Sequence, residues 1–404
     1  APFLSWLIVG FVNIVMCEPK ESSQLTAWMF SPELLDSCRA RANRVARKTL
    51  AKLHDANSSA SNAGNAEESI SSGKNSNPPV EKFARVYVEK CTEFMDEEEG
   101  PWETSDGNPY LTPAEEELLV SFYASKLPSL IGPMAQVPRL RRESKVPATA
   151  AMLLRRFYMS NSVLVHDPKV VMVAAAFLAA KVEDAMTDVR YLEEGTNLMN
   201  APVTSSEIIP AEINLLSGVN FELFCFHPYK AVLSITEDMR TYLKSEKGRS
   251  LVRFSSGNDR PIVGQDLKPM HDAAQLIVND VIVSDIPLLY PPGQVGLAAL
   301  MVANEQQQGT DDIPFIDILG YLSQRFENSD LDGLTSVLDE ICTMLRELKE
   351  GKHGCANHDV DMVALKGIHK KLKKCRLWGA KEKKKKRKKE GEDSPSAKKA
   401  KTSE

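Results

Sequence analysis

Three groups of residues in this chain have types and spacings that could hold a ligand. Asn328-Ser329-Asp330-Leu331-Asp332-Gly333, followed by Asp339, sets oxygen donors at positions 1, 3 and 5 and glycine at position 6 of a calcium loop. Position 12, however, is Asp rather than a bidentate Glu, position 1 is Asn, and Leu331 fills a place that is often polar. An Asx-rich turn capping a helix from Leu334 accounts for the same residues. His353, Cys355 and His358, with His369 and Cys375 beyond, are zinc-ligand types, but their spacing matches no standard site and reads as a polar linker. The third group is Lys383, Lys384, Lys385, Lys386, Arg387, Lys388 and Lys389, echoed by Lys398, Lys399 and Lys401. No aromatic residue lies between these charges to stack a base, so the run reads as a nuclear-import signal of a nuclear protein rather than a specific nucleic-acid reader. Ser394-Pro395, between the basic groups, is a candidate for proline-directed phosphorylation. A phosphate-binding Walker loop, GxSxG, HExxH and the protein-kinase motif set are all missing, so the chain reads as a non-enzyme with no cofactor and no metal.

The elements that would position any site are helices. Asp167-Pro168 opens an alanine-rich run in which Val170, Val171, Val173, Ala174, Phe177 and Leu178 recur at helical spacing. Small residues such as Ala174-Ala175-Ala176 and Ala179-Ala180 let neighbours approach closely, which predicts the centre of a bundle. Glu183 and Asp184 follow where that helix emerges. Ser284-Asp285-Ile286-Pro287 and the segment Val295 to Met301 echo Ser162 to Leu178 at an offset of 124 residues, so the chain reads as two copies of one helical unit. Thr112-Pro113-Ala114-Glu115 is a capping-box start with Leu118, Leu119, Phe122, Tyr123, Leu127 and Leu130 as its stripe. Further helices are predicted near 146–159, 168–184, 187–199 and 205–217, then 228–244, 268–284, 292–306, 313–326 and 331–349. Strand signals are few.

The predicted organisation is an N-terminal segment (1–30), an N-terminal helix (31–54), a disordered Ser/Asn-rich insertion (55–79), a first unit (80–225), a second (226–350), a C-terminal helix (351–377) and a basic tail (378–404). The N-terminal helix has one apolar side and one basic side, the latter from Arg39, Arg41, Arg44, Arg47 and Lys48. Residues 247–264 read as a loop. Residues 1–17 are apolar enough to suggest a signal or anchor, yet they lack a basic leader and a cleavage site; Met16 is read as the start and residues 1–15 as translated upstream sequence. Seven scattered cysteines read as reduced thiols. From Lys366 to Glu404, seventeen Lys/Arg stand against five Asp/Glu, near +12; with −5 for the whole chain, the preceding body carries about −17 and is a poor surface for phosphates.

Arg155-Arg156-Phe157-Tyr158-Met159-Ser160-Asn161-Ser162-Val163 and Ala176-Phe177-Leu178-Ala179-Ala180-Lys181-Val182-Glu183-Asp184 resemble segments of the cyclin family. Ser22-Ser23-Gln24 with Trp28 and Phe30, Arg39 to Arg44, Asn220-Phe221, His227-Pro228-Tyr229, and Leu288-Leu289-Tyr290 with Pro292 extend the resemblance over most of the chain. They favour the branch whose kinase belongs to the CDK-activating kinase. The resemblance implies an all-α fold of two tandem five-helix cyclin-box repeats with flanking N- and C-terminal helices. It implies a non-catalytic partner of a cyclin-dependent kinase catalytic subunit, with a RING-finger assembly factor and the TFIIH core as further partners. It also implies kinase contacts through an acid after the third helix, Asp184 with Glu183 adjacent, and through a cation before the second, Arg141 or Arg139. Arg155, Arg156 and Lys181 read instead as surface charges or internal pairs. A cyclin-fold DNA-binding factor such as TFIIB would share the helices but carry a zinc ribbon and a basic body, and a helical scaffold would need no kinase.

Overall fold

The computed structural model describes residues 22–62, 79–83, 110–254, 260–307, 313–326, 331–355 and 358–378. The N-terminal arm holds α1 (Ser23–Ala27) and α2 (Pro32–Asn62). The first unit follows as α3 (Pro113–Ala124), the short α4 (Leu127–Ile131), α5 (Lys145–Phe157), α6 (Pro168–Val182), α7 (Val189–Leu198) and α8 (Ser205–Gly218). In the second unit come α9 (Pro228–Tyr242), α10 (Glu246–Arg249), β1 (Val252–Phe254), α11 (Lys268–Val281), α12 (Ile286–Leu289), α13 (Pro292–Gln306), β2 (Pro314–Ile316), α14 (Ile318–Arg325) and α15 (Leu331–Glu347). The last helix is α16 (His358–Cys375). Among the described residues, no helix is long and apolar enough to cross a membrane.

Local chemistry sets the helix starts. Thr112 and Glu115 close a reciprocal capping box on α3, and the Asp167 carboxylate accepts from Lys169 N–H (2.9 Å) ahead of Pro168 on α6. In each unit the alanine-rich helix, α6 or α13, is the buried centre around which the others pack. Close approach is strict at Gly296 on α13, where a Cβ would stand 2.5 Å from the Ala231 Cβ on α9. The two cores interlock, because Ala148 of α5 packs in the second core and Leu288 of α12 in the first. Both terminal helices lie against α3. From α16, Leu365, Ile368, Leu372 and Cys375 enter the first core, and beyond it Trp378 Nε1 donates to Val163 O (2.9 Å).

Several predicted elements differ from those found. Residues 252–254, inside the predicted loop, pair antiparallel with 314–316, where a helix was expected from 313. The buried Asn304 amide donates to Ile316 O (2.8 Å) and accepts from Ile316 N–H (3.0 Å), which holds that segment extended. The helix waits for Asp317, whose carboxylate accepts from Gly320 N–H (2.8 Å). α2 continues through Asn62, eight residues beyond the predicted end, whereas α15 starts at Leu331, where the predicted 331–349 helix begins and three residues ahead of the start that the Asx-turn reading gives. On the predicted basic side of α2, Arg39 and Arg47 turn inward; Arg47 donates to Leu111 O (2.6 Å), because that buried carbonyl has no helical partner there.

Candidate functional site

Where α6 emerges from the bundle, the Lys181 ammonium donates to both Glu212 oxygens, at 2.6 and 2.9 Å, and sits 4.0 Å from the Phe177 ring centroid. Glu212 belongs to α8, whose Ile208, Ala211 and Leu215 face inward. On the outward side of the same helix, Ile209 and Ile213 are 49% and 59% exposed. The side chains of Lys181 and Glu212 are 39% and 11% exposed, so the pair is half-desolvated before any partner arrives. A fixed charge pair beside two exposed β-branched residues offers apolar area for affinity and polar groups for register. One ammonium N–H and spare carboxylate lone pairs remain for a partner's backbone.

The four predicted contact residues lie near this corner in different states. Asp184 is exposed at the end of α6 with φ of 53°, a left-handed position that turns the chain away. Glu183 is turned inward. Its carboxylate accepts from Thr149 Oγ (2.6 Å), and Lys145 Nζ stands at 3.6 Å. Since the Thr149 hydroxyl has one proton, spent on Glu183, its 2.8 Å contact with His227 Nε2 requires that nitrogen to donate. Burial first, then the charges of Arg156 and Lys230, push His227 down to about 3, so it is neutral at physiological pH. Arg139 and Arg141 are exposed; the first stacks on the Tyr191 ring (5.2 Å) and the second donates to Ala135 O (3.2 Å). The cation that ties this segment to the loop after α6 is Arg142, donating to Ala185 O (2.9 Å) and Met186 O (3.0 Å).

Lys181 reads from the sequence as a surface charge or an internal pair, and no motif marks Glu212 or Arg142. One signal for Glu212 was available: on a capped amphipathic helix it stands between the apolar positions 211 and 215, and an acid on an inward face needs a cation.

Arg155 and Arg156 are internal. Asp285, ahead of α12, accepts from Arg155 of α5 (2.5 Å) and from Arg39 of α2 (2.7 Å), while Arg39 also faces Glu117 (3.1 Å). Arg155 further donates to Val283 O and Gly354 O, and Asp285 N–H to His353 O (2.9 Å). Burial alone would raise Asp285, but the two guanidiniums hold it well below the usual carboxylate range; burial and the nearby Asp285 charge push Glu117 up to about 7. The arm is pinned at the same junction. Gln24 donates to Phe226 O (3.1 Å) and accepts from Phe226 N–H (2.7 Å), and Trp28 Nε1 donates to Glu222 (2.6 Å) beneath the Arg156 guanidinium. Arg156 itself reaches the Glu222 and Phe224 carbonyls.

The residues weighed as metal ligands are scattered. His353 pairs with Glu347 (2.7 Å), His369 packs edge-on against Tyr123, and Cys375 is buried under α16. Among the described residues there is no cluster of three His, Cys, Asp or Glu that could hold a metal. Asn328 to Asp330, Lys383 to Lys389 and Ser394 lie outside the described residues.

Comparison with known proteins agrees with this architecture. The family model described as the cyclin N-terminal domain matches residues 129–224, and that described as the cyclin C-terminal domain matches 227–349. Cyclin-H1-1 of Arabidopsis thaliana is 25% identical over 360 residues, 89% of each chain. Cyclin CCL1 of Saccharomyces cerevisiae is 28% identical over 195 residues, 48% of this chain and 43% of that protein. A chain of the CAK complex of Chaetomium thermophilum bound to ATP-gamma-S has the same fold, with a TM-score of 0.60 at 21% identity over 95% of this chain and 97% of that one. Two cyclin-domain models in tandem match more than half of the residues, over two helical units joined at a buried Asp285 clamp, and the chain belongs to the cyclin family.

Proposed function

We propose that this cyclin H-like chain is the non-catalytic regulatory subunit of a cyclin-dependent kinase, and that the face formed by Phe177, Lys181, Ile209, Glu212 and Ile213 docks on the kinase beside its mobile C-helix. The observation that carries the docking assignment is the Lys181–Glu212 pair held at the α6–α8 corner with Ile209 and Ile213 exposed next to it. Similarity to Cyclin-H1-1 over 89% of both chains supports the regulatory role. A kinase is competent only when its C-helix glutamate pairs with the phosphate-binding lysine, so a rigid surface that binds the inward position shifts the population toward activity. Moving that equilibrium from 1:99 to 99:1 takes roughly 5.5 kcal/mol of differential binding, within reach of an apolar patch with a fixed charge pair. Asp184, with Arg139 and Arg141 on the segment that Arg142 ties to the loop after α6, forms the rim of this face, while Glu183 braces it from within.

Solved structures that share the fold come from a CAK complex and from yeast TFIIK, described as Kin28/Ccl1/Tfb3. By that analogy the kinase is the CDK-activating type. It would act on kinase activation loops and the RNA polymerase II tail in the nucleus, with a RING-finger assembly factor and the TFIIH core as further partners. Co-expression of the full chain with a kinase of this type should give one co-eluting complex with activity on both peptides. Separate elution with no gain in activity would remove the regulatory role.

A further inference from the structure

The outward side of α16 carries charge that the kinase face does not use. Lys366, Lys370, Lys373 and Lys374 are exposed at helical spacing, and none has an ion pair within the described residues. The opposite side, Leu365, Ile368, Leu372 and Cys375, is buried in the first core, and the helix is tied down by Lys371 to Glu115 (2.8 Å). From Met362 to Trp378 there is no acidic residue. The four ammonium groups therefore form a stripe held rigidly on the body. At 1.5 Å per residue it runs about 12 Å, against one phosphate per 3.4 Å along a DNA strand, enough for about three phosphates.

We infer that α16 is a sequence-independent docking surface for the phosphate backbone of duplex DNA. Charge complementarity names the occupant. The stripe is made of lysines, point charges suited to phosphate, with no arginine fork of the kind that matches carboxylates; the one arginine of the segment, Arg376, is stacked on Trp378 at 4.0 Å. No aromatic side chain projects between the lysines to stack a base, so the contact reads charge and not sequence. The rest of the body is strongly acidic, which orients DNA toward this helix and away from the other faces.

The test uses the full chain and a labelled random-sequence duplex, with affinity followed by fluorescence anisotropy from 50 to 200 mM salt. The K366Q/K370Q/K373Q/K374Q variant, whose changes are all at exposed positions and whose helicity is checked by circular dichroism, should lower the log–log salt slope by about 3 and weaken binding roughly tenfold or more at low salt. A second full-length variant, with Lys383 to Lys389 changed to Gln, separates the tail from the helix: the helix contribution should persist in it. An unchanged slope in the four-lysine variant would overturn the inference. So would a polyglutamate peptide of matching charge that binds the helix more tightly than the duplex, which would assign the surface to an acidic polypeptide.

Discussion

Asp285 holds two guanidiniums from two different elements, Arg39 and Arg155, in a site where its own side chain is only 5% exposed. Removing one partner of such a group leaves uncompensated buried charge, so Asp285→Ala should cost about 3–5 kcal/mol in urea unfolding, well beyond a surface change. A cost below about 1 kcal/mol would show that the clamp is replaceable. At the other end of the junction, His227 is neutral in the folded state and titrates near its ordinary value of about 6.5 when unfolded. Between about pH 6.5 and the depressed folded value, the unfolded chain binds the extra proton, so this group withdraws stability as the pH falls. The stability gap between the parent and His227→Gln should therefore narrow from pH 7 to pH 4.5. A gap that widens on acidification would contradict the neutral, Thr149-bonded imidazole.

At the scale of elements, the terminal segments act as straps. Trp28 is 1% exposed, stacked on Phe83 at 4.4 Å and bonded to Glu222, so α1 belongs to the folded body although it has only five residues. Trp28→Ala should cost about 3–5 kcal/mol in thermal unfolding followed by circular dichroism, the range for truncating a buried aromatic. An unchanged midpoint would make the arm an ornament. The helices of both units were legible in the sequence because their starts are written in local chemistry, Thr112-Pro113 and Asp167-Pro168, and their cores in periodicity. The β1–β2 pair was not, since three-residue strands have no period to detect and depend on Asn304, which lies ten residues from β2 in sequence. Asp285 was visible as part of a repeat, but its role rests on Arg39 and Arg155, 246 and 130 residues away. At the proposed docking corner the sequence marks the end of α6 by its two acids, while the Lys181–Glu212 pair joins residues 31 apart on two helices and needs the fold to be seen.

For the whole molecule, the arrangement is a rigid body with separate faces. Two interlocked cores, the Asp285 clamp and the N-terminal strap remove freedom between the units, so a kinase docking at the α6–α8 corner, as proposed, would meet a surface that is already ordered. The basic α16 lies against α3, and its neutralised variant should leave kinase activation unchanged. The most direct test of the central claim is calorimetric titration of the full chain into a CDK-activating-type kinase, alongside Ile213→Glu and Lys181→Ala with matched circular dichroism. The parent should bind, and each variant should lose roughly tenfold or more in affinity, with a parallel fall in activity on an activation-loop peptide. Parent and variants that bind and activate equally would contradict it, and would move the kinase contact away from this corner.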